Sequence, residues 1–167
     1  FFLKAEDGLR YRVRSRGLGY VYKRQVCPPA TLTLPPAPAG LTVEPITPST
    51  PIDVVQDLMT IQARAFGDPD APRTTAEEAQ QSRVRFAALQ LFLARLHGVA
   101  VSAASLTAPY AGIAEVAGVA TSAAFRRRGI ASALTHAVAQ AAFAQGVEQL
   151  FLTAASAEAG HAYARAG

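Results

Sequence analysis

The sequence predicts an α/β domain built on a mixed, mostly antiparallel central sheet flanked by helices. Three observations carry that expectation. The chain has 167 residues, 50% of them hydrophobic, enough for one domain with a filled core. Its patterned segments run in the order strand, two helices, three strands, helix, strand, helix. The three consecutive strands are linked by a tight turn and a short loop, which makes them antiparallel neighbours.

Each element has its own signal. Leu41–Ile46 alternates and reads as a first edge strand. Thr50-Pro51-x-Asp53 offers a cap, a proline at the first helical position and an acid in the first turn. Val54, Leu58, Ile61 and Ala65 follow at helical spacing, so a helix is expected over 51–65, stopped by Gly67-Asp68-Pro69. A second helix is expected over 75–87, opened by overlapping capping boxes, Thr74 with Glu77 and Thr75 with Glu78. Its apolar stripe is weak, which places it on the surface. Leu89–Leu96 and Val99–Thr107 form a hairpin about His97-Gly98, and residues 108–112 form a loop before a strand over 113–120. Ile130, Leu134, Val138 and Ala141 mark an amphipathic helix ending at Gly146. Val147–Leu152 is a short apolar strand of the kind covered on both faces. Ser156 can cap a last helix, 157–165.

Charge and composition divide the chain into three. Residues 1–25 hold seven basic residues against Glu6 and Asp7, a net charge of +5, and include every lysine. The remainder has nine arginines and ten carboxylates, a net charge of −1. The first 25 residues resemble translated adapter sequence, show no apolar periodicity, and are expected to be a non-native, disordered segment. Residues 26–50 hold most of the prolines, and residues 26–40 read as an extended linker, leaving 41–167 as the folded domain. No run reaches the ~18 apolar residues of a membrane span, so a cytoplasmic protein with no membrane partner is expected. The single cysteine, Cys27, excludes an internal disulfide framework and a multi-cysteine zinc site. The histidines suggest no metal: His97 belongs to a turn, His136 lies opposite the apolar stripe of its helix, and His161 is on the final helix.

The chemistry concentrates in Ile113–Leu134. A strand runs into a short loop carrying Arg126-Arg127-Arg128-Gly129, and a helix starts at once with Ile130, Ala131 and Ser132. The first turn of a helix offers unpaired N–H groups and a positive dipole end, so an anion such as a phosphate can sit there. Glycine admits close backbone approach, and arginine supplies directional donors. Neither the Walker lysine nor a GxGxxG pattern is present. Arg126–Ala131 resembles the [RQ]-x-x-G-x-[GA] pyrophosphate loop of the GNAT (GCN5-related N-acetyltransferase) superfamily. The resemblance extends over about residues 41–167: Val119-Ala120-Thr121 ends the strand before the loop, a helix, strand and helix follow, and Tyr163-Ala-Arg-Ala-Gly167 looks like the family's Y-x-x-x-G-F element without its phenylalanine.

The resemblance implies the GNAT acyl-CoA N-acyltransferase fold, with a splay between strands 113–120 and 147–152 that admits acetyl-CoA as co-substrate and needs no metal. It implies backbone contacts to the pantetheine arm from Val119, Ala120 and Thr121, and phosphate contacts from Arg126, Arg127, Arg128, Gly129, Ile130, Ala131 and Ser132. Acyl transfer to an amine needs a base for the ammonium and an acid for the departing thiolate. Glu115, eleven residues before Arg126, resembles the general base of histone-type members, and its apolar strand could raise its pKa; it could equally stand on a solvated strand end. Tyr163 resembles the family's general acid, its alternative being an aromatic that packs the last helix. The family's asparagine after the fifth strand has no counterpart, and Ser156 stands as its substitute. Without G-x-S-x-G, and with Cys27 in the linker, direct attack in a ternary complex is expected rather than an acyl-enzyme.

The implied function is acetyl transfer to a primary amine of a small-molecule or protein acceptor, with a homodimer left open and a bacterial source suggested by the alanine-rich, lysine-poor composition. Family members continue into two further strands. The chain as given is therefore expected to be incomplete at its C-terminus, poorly active, and to expose an unpaired strand edge. Two rivals remain. One is a non-catalytic acyl-CoA-binding regulatory module, indifferent to Glu115 and Tyr163. The other is a nucleic-acid binder working through the basic leader and Arg126–Arg128, which predicts steep salt dependence; no nucleic-acid partner is expected.

Overall fold

In the computed structural model, the structure describes residues 23–154. Six strands, β1 (Lys23–Cys27), β2 (Leu41–Ile46), β3 (Leu89–Leu96), β4 (Val99–Thr107), β5 (Ile113–Thr121) and β6 (Gln149–Ala154), form one sheet in the order β1-β6-β5-β4-β3-β2. Every pairing is antiparallel except β5 with β6, which is parallel. The three helices among the described residues are α1 (Ile52–Phe66), α2 (Ala76–Arg85) and α3 (Ile130–Ala144).

Strand alternation sorts the core onto two faces. Phe92, Ala94 and Leu96 of β3 pack with Ala114, Val116, Leu150 and Leu152 against Ile130, Leu134 and Val138 of α3. Leu91 and Leu93 of the same strand pack with Ala103 and Ala120 against Val55, Leu58, Met59 and Ile61 of α1. Leu58, Leu93 and Leu134 are wholly buried, and burial of such a side chain contributes about 1.5–3 kcal/mol. The β3–β4 hairpin turns at His97 (φ 50°) and Gly98 (φ 81°), the left-handed pair that matches strand twist. On α2, of the two candidate capping boxes, Thr75 with Glu78 forms.

Four expectations are altered. Helix α1 starts one residue later than predicted, after Pro51, and Thr50 does not cap it; the Thr50 hydroxyl accepts from the Thr47 N–H instead. Residues 23–27, split between the two segments expected to stay unfolded, form β1 and pair with β6 from Lys23–Ala154 to Cys27–Leu150. Strand β1 therefore covers one side of β6. The proline-rich stretch is no free linker either: Leu32 packs on the α3 face of the core and Pro35 is buried. His136, expected on a solvated face, is 6% exposed, because α3 is buried at Ser132, Thr135 and His136 as well as along its apolar stripe; neither ring nitrogen has a hydrogen-bond partner among the described residues. The helix expected over 157–165 lies outside the described residues.

Candidate functional site

The β5–β6 pairing is short. Ile113, Ala114 and Glu115 pair with Gln149, Leu150 and Phe151. Beyond that point β5 continues to Thr121 and β6 to Ala154 without pairing with each other. A cleft therefore opens between two parallel strands, and Glu115 stands at its root. Its backbone N–H donates to the Thr107 hydroxyl at 2.8 Å, tying the root of the cleft to β4.

A bulge interrupts β5 on its β4 side. Ala103 pairs with Ala120 but Ser105 with Ala117, so Gly118 and Val119 together face Ala104. Gly118 has φ 59°, a left-handed backbone that suits glycine. One extra residue inverts the alternation that follows: Ala114 and Val116 face α3, whereas Ala120 faces α1. By the same alternation Glu115 lies on the α1 face. Val119 packs towards α3.

Past Thr121 a short 3-10 turn, Ala123–Phe125, leads to the three arginines. Arg127 has φ 60° and Gly129 has φ 80°, ψ 0°. Left-handed residues two apart curl successive N–H groups towards one side, the backbone concavity that suits an anion. Gly129 is the N-cap of α3, no side chain caps that end, and its first turn holds no acid. The positive dipole end and the backbone N–H groups of Ile130 and Ala131 in this first turn suit an anion. The close approach that glycine permits here is made by the chain itself: a Cβ on Gly129 would lie 2.9 Å from the Pro36 carbonyl oxygen.

The arginines are exposed but not equivalent. Arg126 donates through Nε to the Thr121 carbonyl at 3.1 Å, closing the loop onto the end of β5. Arg128 donates to the Ala124 carbonyl at 3.1 Å, with its guanidinium 5.2 Å from the Phe125 ring centre. No such contact is seen for Arg127 among the described residues. Ile130 is buried in the core and Ser132 beneath the helix surface, so Ile130 can offer a phosphate only its backbone.

The fold thus gathers Glu115, Val119–Thr121 and Arg126–Ser132 along one strand–loop–helix path. Ser156 and Tyr163 lie outside the described residues. Two features escaped the sequence reading. Glycine in mid-strand at 118 was a usable sign of a bulge. Gln62 of α1, whose Nε2 donates to the Gly118 carbonyl at 3.2 Å, gave no signal, because its partner is 56 residues away. Among the described residues no helix is long and apolar enough to cross a membrane, and no cluster of three or more His, Cys, Asp or Glu could hold a metal.

Comparison with known proteins gives the geometry a family. No match is found among curated proteins. Among solved structures, the chain is similar to a GCN5-related N-acetyltransferase from Kribbella flavida, with 27% identity over 78% of this chain and 47% of that one, TM-score 0.58. It is also similar to a GCN5-related N-acetyltransferase from Sphaerobacter thermophilus, with 23% identity over 87% of this chain and 47% of that one, TM-score 0.65. A third is a GNAT family acetyltransferase from Elizabethkingia anophelis with acetyl-CoA bound, 19% identical over 75% of this chain and 72% of that one, TM-score 0.54. The chain thus spans about half the length of the first two. The family model described as Acetyltransferase (GNAT) family matches residues 55–167, a stretch that takes in the cleft, the bulge and the arginine loop, and the chain belongs to that family.

Proposed function

We propose that the chain is an acetyl-CoA-dependent N-acetyltransferase that acts on a primary amine by direct attack in a ternary complex. The observation that carries the reading is the uncapped α3 N-terminus, with left-handed Arg127 and Gly129, set at the end of a strand that parts from its neighbour at Glu115. The donor set fits the co-substrate. Loop amides and arginines suit a pyrophosphate. The edge of β5 beyond Glu115, without a β6 partner, suits an extended arm carrying amide groups, which can pair as a strand would.

In this reading Val119, Ala120 and Thr121 hold the arm through backbone groups, and Arg126–Ser132 hold the phosphates. Glu115 takes a proton from the acceptor ammonium, directly or through water. The amine nitrogen then attacks the thioester carbonyl, the C–S bond breaks, Tyr163 gives its proton to the departing thiolate, and the proton released by the acylated nitrogen restores Tyr163. The acceptor is a small molecule or a protein amine.

Calorimetric titration of the whole chain with acetyl-CoA, beside the double variant Arg126→Ala/Gly129→Asp, tests this. Micromolar-scale binding, lost in the variant, is the expected result. A folded wild-type sample that binds nothing would remove the acyltransferase reading. Binding with no turnover of any amine, and indifference to Glu115→Gln, would instead support a non-catalytic acyl-CoA-binding module.

A further inference from the structure

Helix α1 turns Val55, Leu58, Met59 and Ile61 into the core. Gln62 lies one turn beyond Leu58, and it is half-buried. A glutamine that close to an apolar face must find partners, because an unpaired buried amide is costly. Its Nε2 donates to the Gly118 carbonyl at 3.2 Å. That carbonyl belongs to the bulge residue whose left-handed backbone departs from the ladder geometry.

The carbonyls on either side are held in the same way. The Ser105 hydroxyl donates to the Ala117 carbonyl at 3.0 Å, and the Ser102 hydroxyl donates to the Ala120 carbonyl at 2.6 Å. Ser102 also shares a 2.9 Å hydrogen bond with the Thr121 hydroxyl. Three side chains thus fix carbonyls along the bulged part of β5. Both serines come from β4, the strand already paired with β5. Of these three, Gln62 alone reaches in from another layer, and it holds Gly118, the one residue of β5 with positive φ.

We infer that Gln62 is a positioning residue for the acyl-CoA arm: by holding the Gly118 carbonyl it keeps the Gly118–Val119 bulge in place, and with it the cleft between β5 and β6. Relaxing the bulge would slip Val119–Thr121 by one residue, exchange their faces, and let β5 extend its pairing along β6 past Phe151. This inference rests on the acetyl-CoA reading above, which the wild-type measurement checks first.

Three variants of the whole chain are compared by titration with two probes. Acetyl-CoA spans the loop and the cleft, whereas ADP offers only a diphosphate for the loop. Gln62→Met keeps the length without a donor, Gln62→Glu places an acceptor against the carbonyl, and Gln62→Lys keeps an N–H donor of similar reach. Gln62→Met and Gln62→Glu are expected to weaken acetyl-CoA binding about tenfold, the scale of one hydrogen bond. ADP binding should stay unchanged in both, and Gln62→Lys should bind acetyl-CoA as the wild type does. Equal weakening of both probes would make Gln62 a general stabilising residue and overturn the inference, as would no change in either. Should Gln62→Met fail to fold, the contrast between the lysine and glutamate variants carries the same decision. A wild type that binds neither probe would remove the underlying reading before any variant is compared.

Discussion

Gly118 and Gly129 both adopt left-handed backbone, at φ 59° and 80°, and a side chain at either is strained by about 1–2 kcal/mol. Their surroundings separate them. A Cβ at 118 would lie 2.9 Å from Nε2 of Gln62, the end of a side chain that can swing away, whereas at 129 it would lie 2.9 Å from the backbone oxygen of Pro36. Gly129→Ala should therefore lower the denaturant midpoint more than Gly118→Ala, with the excess reporting how firmly the Pro36 segment is held. Equal midpoint shifts would show that the segment yields freely. At the root of the cleft, Glu115→Gln preserves size and removes the base, so kcat should fall by about 10²–10⁴-fold while acetyl-CoA affinity is unchanged. Steady-state kinetics with an accepted amine measures both, and an unaltered kcat would assign Glu115 to the strand rather than to proton transfer.

Elements announced themselves where their signals were local. The β3–β4 hairpin falls at its predicted boundaries because alternation and the His97-Gly98 turn lie within one short window. Helix α2 was legible from its cap alone. Glu78 accepts from the Thr75 N–H and from the Thr75 hydroxyl, both at 2.8 Å. Those two bonds, the backbone one first, hold its carboxyl below the ordinary glutamate value. A depressed folded pKa means that the stabilisation is present above the unfolded pKa and is lost as pH falls through the folded one. The stability gap between wild type and Glu78→Ala should accordingly be open at neutral pH and close on acidification. Urea unfolding at several pH values reads it, and a gap independent of pH would mean that Thr75 caps α2 without help from the carboxylate. The bulge in β5, by contrast, depends on Gln62 and on serines of β4, so only the hint of a mid-strand glycine was available locally.

At the scale of the whole molecule, legibility followed the same physics. The path from Glu115 through Arg126 to Ser132 could be read because strand, loop and helix are consecutive in the chain. Strand β1 could not, because its partner lies more than a hundred residues away and its neighbours are prolines that suggest an extended, unpaired chain. Its place in the sheet has a consequence for β6. Strand β5 pairs with β6 only at Gln149–Phe151, whereas β1 pairs along Leu150–Ala154, so Leu152, Thr153 and Ala154 have β1 as their strand partner among the described residues. The outer half of β6, one wall of the cleft, thus takes its backbone support from β1. Removing residues 1–27 should leave that half as a bare edge, free to exchange amide hydrogens, to pair with another chain, or to close against β5. Native-state hydrogen exchange should show protection at Leu152 and Ala154 falling at least about tenfold while that at Leu93 in the sheet centre is retained. Weaker acetyl-CoA binding and self-association that grows with concentration should accompany it. Protection unchanged at Leu152 would mean that β6 holds its position without β1, and the cleft would then owe its shape to the β5 bulge alone.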